Sequence, residues 1–122
     1  RLPDSWPAAL GYAPWVARVF ANYLGNALKY GGRPPLVEVE AALHSDRFVR
    51  ISVGDDGRGL APEEKERTFV PFTRLSPDEA DGHGLGLSIV RRLVERMGGE
   101  VAVESEGTPG AGCTFSFTLT RP

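Results

Sequence analysis

From Pro14 to about Tyr30 the apolar residues Val16, Phe20, Tyr23 and Ala27 recur at helical spacing and form a core-facing stripe. Pro14 suits the first helical position, and Gly31-Gly32 stops the segment. Asn22, Asn26 and Lys29 fall on a second stripe beside the first, which places three polar groups along one edge of a buried helix. Beyond Pro34-Pro35, Leu36 to Leu43 and Arg47 to Val53 alternate apolar and polar positions around the short polar connection His44-Ser45-Asp46, the pattern of an antiparallel hairpin. A short helix is predicted from Pro62 to about Phe69, with Glu63 to Arg67 as its solvated face. Thr73 to His83 carries breakers and little apolar content and reads as a loop. A helix from about Leu85 to Met97 follows, burying Ile89, Val90, Leu93, Val94 and Met97, exposing Arg91, Arg92, Glu95 and Arg96, and ending at Gly98-Gly99. Two strands close the chain, Glu100 to Ser105 and Cys113 to Leu119, joined by a turn with Gly107, Pro109, Gly110 and Gly112. This order predicts one α+β domain over residues 1–122, with residues 1–13 as an irregular lead-in. The expected architecture is a two-layer sandwich: a mixed, mostly antiparallel sheet covered on one face by about three helices.

Composition narrows the partners. The 122 residues include 14 basic and 16 acidic side chains, a net charge of −2, so no basic field directs the domain to nucleic acid or to a membrane surface. Cys113 is alone, which precludes an internal disulfide, and no Cys/His cluster has zinc spacing. No apolar run approaches the roughly 20 residues that span a bilayer, and the first residues lack a signal-peptide pattern. The expected compartment is the cytoplasm; any membrane anchor of a parent protein lies outside this chain.

Three segments carry candidate chemistry. Strand parity places Val49, Ile51 and Val53 on one face and, continued, Asp55 with them, whereas Asp56 points the other way. A carboxylate aimed at the core side needs a hydrogen-bond donor. The exocyclic amine of adenine is a suitable one; the alternative is that Asp55-Asp56-Gly57 is only a turn. Gly82, Gly84 and Gly86 alternate at the opening of a helix, where free N–H groups and the helix dipole favour phosphate. The spacing is neither a Walker loop nor the dinucleotide fingerprint, and the alternative is a flexible loop-to-helix junction. Amide oxygens of Asn22 and Asn26, one turn apart, suit Mg²⁺ bridging phosphates, with Lys29 neutralising charge. Taken singly, each of these side chains is better explained as a helix-edge group bonded to nearby backbone. Together the three segments supply contacts for base, phosphate and metal.

In this order the motifs resemble the Bergerat, or GHKL, ATP-binding fold shared by histidine kinases, type II topoisomerases, Hsp90 chaperones and mismatch-repair ATPases. Asn22 to Tyr30 resembles the N box, Asp55-Asp56-Gly57-Arg58-Gly59 the G1 box, and Phe69-Val70-Pro71-Phe72 the F box. Gly82 to Leu87 resembles the G2 box, and Gly110 to Phe115 the last glycine box. The F box and the run from Leu85 to Gly99 resemble the histidine-kinase branch. Hydrolysing members carry a glutamate one turn before the metal asparagine; this chain has Asn22 there, which favours a kinase over an ATPase.

The resemblance implies the ATP-binding catalytic domain of a two-component sensor histidine kinase. Its substrate would be ATP with Mg²⁺, and its phosphoryl acceptor a histidine on a separate dimerisation domain, upstream of a response regulator. It implies that Asp55 binds the adenine amine, that Asn26 holds Mg²⁺ with Asn22 nearby, and that Lys29 and Tyr30 approach the nucleotide. Gly57, Gly59, Phe72 and Thr114 would border the pocket. Gly82, His83, Gly84, Leu85, Gly86 and Leu87 would line the phosphates, residues 73–83 would form the ATP lid, and Arg74 would join Asn22 and Lys29 in phosphoryl transfer. A GHKL-type serine kinase of an anti-sigma system, a non-catalytic nucleotide-sensing module and an ATPase are the alternatives. The lead-in through Trp6, Pro7 and Trp15 departs from the family's usual strand-and-linker pattern, His83 replaces the usual threonine of the G2 box, and the helical hairpin with the acceptor histidine is missing. His44 and His83 sit in a hairpin turn and at the lid junction and are read as non-catalytic. Because dimer contacts in such kinases lie mainly in the missing hairpin, the fragment is expected to be a monomer.

Overall fold

The structure, a computed structural model, describes residues 2–3, 6–30, 36–57, 59–69, 86–105 and 112–122. Phe72, Arg74, Gly82, His83, Gly84, Leu85, the expected lid and the side chain of Tyr30 lie outside the described residues. The elements in chain order are α1 (Ala13–Tyr30), β1 (Val37–Leu43), β2 (Phe48–Asp55), α2 (Pro62–Arg67), α3 (Gly86–Arg96), β3 (Val101–Glu104) and β4 (Thr114–Thr120). The four strands form one sheet in the order β1-β2-β4-β3, and every pairing among them is antiparallel. The expected mixed sheet therefore has no parallel pair among the described strands, because β3 pairs only with β4 and never reaches β2.

The hairpin is longer than its alternation suggests. Val37 pairs with Asp55, and the Asp55 N–H donates to the Cys113 carbonyl (2.9 Å), so β2 runs two residues past Val53. One face of the sheet holds Val39, Val49, Ile51, Val53, Phe115, Phe117 and Leu119, all buried, and against them pack Val19, Tyr23 and Ala27 of α1 and Val90 and Val94 of α3. The stripe of α1 is thus centred one position away from expectation. Val19 is fully buried, whereas Val16 and Phe20 are partly buried at its flank, where Trp6 of the lead-in meets Phe20 edge-on (6.3 Å between centroids). Leu10 of the same lead-in donates its N–H to the Thr120 carbonyl (2.7 Å), an isolated antiparallel bridge among the described residues.

Tyr23 is the largest fully buried side chain among the described residues, and its hydroxyl donates to the Ser116 carbonyl (3.0 Å), which satisfies a polar atom the core would otherwise strand. Burial pushes its phenol well above the ordinary range. On the opposite face Arg50 bonds Glu104 (3.2 Å) and the Ser116 hydroxyl (3.3 Å). The C-terminal end of α3 is tied to β4 by two reciprocal bonds, Glu100 N–H to Thr118 Oγ1 and Thr118 N–H to the Glu100 carbonyl, each 2.9 Å.

Candidate functional site

The described part of the site is built from the end of β2, the polar edge of α1 and the start of α3. At the end of β2, Asp55 accepts a hydrogen bond through Oδ1 from the Gly57 N–H (2.8 Å), so the segment is indeed a turn of the Asx kind. The turn does not exhaust the carboxylate. Burial pushes its pKa up, the N–H groups of Gly57 and Cys113 pull it back, and the charge of Asp56 raises it further, with the rise prevailing. An ionised carboxylate accepts about four hydrogen bonds, so Asp55 retains capacity for an outside donor. Asp56 turns away, as parity requires, and its Oδ1 accepts from the Leu36 N–H (3.0 Å).

The Asp55 turn rests against the start of β4. Gly112 donates its N–H to the Gly57 carbonyl (3.1 Å). Gly112 has φ of +74°, and a Cβ there would collide with the Asp55 carbonyl, so only glycine fits this approach. Gly59, also at positive φ (75°), carries the chain on toward α2. The two residues that enter β4 beside Asp55 go to opposite faces of the sheet. Thr114 is registered with Gly54, and its Oγ1 would lie 3.3 Å from a Cβ placed there, so its hydroxyl belongs to the sheet face away from the helices. The residue on the Asp55 side is Cys113, buried in the core cluster. The same parity that places Phe115 and Phe117 inward assigns Cys113 inward and Thr114 outward.

The second convergence joins α1 to α3. Asn22 is half-buried; its Nδ2 donates to the Arg18 carbonyl one turn back (2.9 Å), and its Oδ1 would lie 2.8 Å from a Cβ on Gly86. The first residue of α3 is thereby pressed against an amide oxygen of α1, and glycine is what allows it. Asn26 is half-buried one turn further on, and Lys29 is exposed in the last turn. Leu87, half-buried, packs on the core. The structure therefore brings Asn22 to Gly86, and Asp55 and Gly57 to Gly112 and Cys113. A depression of about 270 Å³ bordered by Glu38, Ser52, Gly54, Asp55, Asp56 and Thr114 opens on the sheet face away from α1. Among the described residues no cluster of three or more His, Cys, Asp or Glu side chains could hold a metal.

A model of the histidine kinase-, DNA gyrase B- and HSP90-like ATPases matches residues 11–122. The chain belongs to this family. It is 36% identical over 120 residues to the adaptive-response sensory kinase SasA of Prochlorococcus marinus, covering 97% of this chain and 31% of that protein. It is 35% identical over 122 residues to the methanogenesis regulatory histidine kinase FilI of Methanothrix harundinacea, covering 99% of this chain and 13% of that protein. The chain thus spans a third or less of these relatives. Among solved structures, the mycobacterial sensor histidine kinase MprB superposes with a TM-score of 0.83 at 27% identity, over 93% of this chain and 78% of that one. Full-length ShkA in complex with AMPPNP superposes with a TM-score of 0.80 at 35% identity, over 97% of this chain and 24% of that one. The two-layer arrangement of helices on an antiparallel sheet is the fold of histidine-kinase ATPase domains. No helix among the described residues is long and apolar enough to cross a membrane.

Proposed function

We propose that this chain is the ATP-binding catalytic domain of a sensor histidine kinase, passing the γ-phosphoryl group of ATP to a histidine on a separate dimerisation domain, from which a response regulator takes it. The observation that carries the proposal is the meeting of α1 and α3, where the Asn22 amide oxygen lies at the first residue of a helix whose free N–H groups and dipole favour phosphate. The AMPPNP bound by the related ShkA supports a nucleotide here.

Asp55 accepts from the adenine amine, which supplies the outside donor its carboxylate has room for. The N–H groups at the start of α3 take the phosphates, and Lys29, in the last turn of α1, neutralises phosphate charge. Asn22 and Asn26 offer amide oxygens, hard donors that fit Mg²⁺, and Asn26 would hold it with Asn22 nearby. When bound, the ion would neutralise charge on the bridged phosphate oxygens. Arg74 stabilises the transferring phosphoryl group. Asn22 has no basic group to activate water, which favours transfer to the partner histidine over hydrolysis. The work of the domain is positioning and electrostatics, and the partner histidine is the nucleophile. The fragment alone is a monomer.

Calorimetric titration with AMP-PNP, with and without Mg²⁺, tests the pocket. Saturable binding that Asp55→Asn abolishes is expected, and mixing with the dimerisation domain and ATP should then give an acid-labile phosphohistidine. Binding that survives Asp55→Asn unchanged, or an acid-stable product, would remove the proposal.

A further inference from the structure

A chain of hydrogen bonds runs from α2 to the Asp55 carboxylate, and one hydroxyl is its junction. The Ser105 hydroxyl accepts from the Leu60 N–H (2.8 Å) and donates to the Gly112 carbonyl (3.0 Å). Gly112 N–H then donates to the Gly57 carbonyl (3.1 Å), and Gly57 N–H to Asp55 Oδ1 (2.8 Å). From the other side, Lys65 Nζ of α2 donates to the Ser105 carbonyl (3.1 Å). Glu64 Oε1 accepts from the Ala61 N–H (3.0 Å), fixing the start of α2 beside Leu60. Ser105 follows directly on β3, Leu60 precedes α2, and Gly112 precedes β4, so the approaches to α2 and β4 meet the end of β3 at one oxygen.

We infer that Ser105 is a positioning residue for adenine recognition: its hydroxyl sets the Gly112 and Gly57 backbone that orients Asp55, and so controls how well the domain distinguishes adenine from other purines. The inference rests on the assignment of Asp55 to the adenine amine. Its chemistry is specific. The hydroxyl spends its single proton on the Gly112 carbonyl and a lone pair on the Leu60 N–H, and both of those residues are buried. Alanine at 105 removes both hydrogen bonds at once. Gly112 then loses the bond on its carbonyl and is held against the Asp55 turn by its N–H bond to the Gly57 carbonyl, at the position where only glycine fits. A carboxylate displaced by a few tenths of an ångström loses the alignment that a charge-assisted hydrogen bond requires.

The test compares ATP with inosine triphosphate, which presents a carbonyl where adenine presents its amine, in calorimetric titrations of the wild type, Asp55→Asn, Ser105→Ala, Ser105→Cys and Ser105→Thr. The wild type should prefer ATP, and Asp55→Asn should erase the preference; if it does not, the adenine assignment fails and this inference with it. Given that preference, Ser105→Ala should reduce the ATP-to-inosine-triphosphate affinity ratio about tenfold, the scale of one well-aligned hydrogen bond. Ser105→Thr should restore the ratio, and Ser105→Cys should fall between, which keeps the comparison informative if the alanine variant folds poorly. A role confined to stability would weaken both nucleotides alike. Equal losses for the two, or a wild-type ratio in both Ser105→Ala and Ser105→Cys, would overturn the inference.

Discussion

Alanine at Gly86 should separate folding from function. A Cβ there would sit 2.8 Å from Asn22 Oδ1, well short of ordinary contact at about 3.5 Å. The obstructing atom is the end of a side chain, so Asn22 yields more readily than backbone would. Rotating it away surrenders the Nδ2 bond to the Arg18 carbonyl, a loss of about 0.5–1.5 kcal/mol. Replacing glycine in a helix returns up to about 1 kcal/mol, less at a first helical residue. The two nearly cancel, and urea unfolding should place Gly86→Ala within about 1 kcal/mol of the wild type. Nucleotide binding has no such compensation. Asn22 is displaced, and a methyl group occupies the approach to the N–H groups at the start of α3, so affinity for Mg²⁺–AMP-PNP should fall tenfold or more, about 1.4 kcal/mol. Gly25→Ala is the control: no atom outside its own helix lies within 4 Å of its Cβ position, so it should keep wild-type binding. A Gly86→Ala protein that loses more than about 2 kcal/mol of stability yet binds normally would refute the reasoning, since Gly86 would then serve packing alone.

Asp55→Asn should change the pH dependence of folding as well as binding. The folded-state pKa of Asp55 is raised, chiefly by burial, so its favourable contribution is complete below its unfolded pKa and is lost as pH rises through the folded one. At neutral pH the asparagine variant should therefore be no less stable than the wild type, which should gain on it as the solution is acidified; denaturant melts across that range would show the opposite trend if the reasoning were wrong. Gly112→Ala should cost at least about 2 kcal/mol, from a positive φ and a collision with the Asp55 carbonyl, and should weaken nucleotide binding as well. Tyr23→Phe should cost about 1–2 kcal/mol in urea by leaving the Ser116 carbonyl without this donor, while binding remains at the wild-type level.

The periodicities carried most of the fold. Alternation in β2 aimed Val49, Ile51 and Val53 inward, and the apolar spacing of α3 sent Arg91, Arg92, Glu95 and Arg96 to solvent. The departures share a cause, which is contact between segments distant in sequence. Val19 is fully buried in the core cluster, whereas Phe20 lies at its flank and meets Trp6 of the lead-in, a contact that helical spacing cannot contain. β2 outruns its apolar pattern because its last residue finds a partner in Cys113, 58 positions on. At the site, Asn22, Asp55 and the glycines were legible as types at meaningful spacing. Cys113 was legible too, had the parity of β4 been carried back one residue from Thr114. Ser105 was not: a lone serine at a strand end gives no sign that it will join Leu60 to Gly112.

The bonds between Glu100 and Thr118 tether α3, through the turn that follows it, to β4. The 11 residues of α3 span about 16 Å at 1.5 Å each. A tilt of about 4° around the anchored end moves the first turn by about 1 Å, comparable to the slack between contact and collision at Asn22 and Gly86. The clearance between Asn22 and Gly86 is therefore sensitive to small changes in the tether from Met97 to Glu100, at the other end of α3. Substitutions at that tether would retune the gap without touching a residue that faces it.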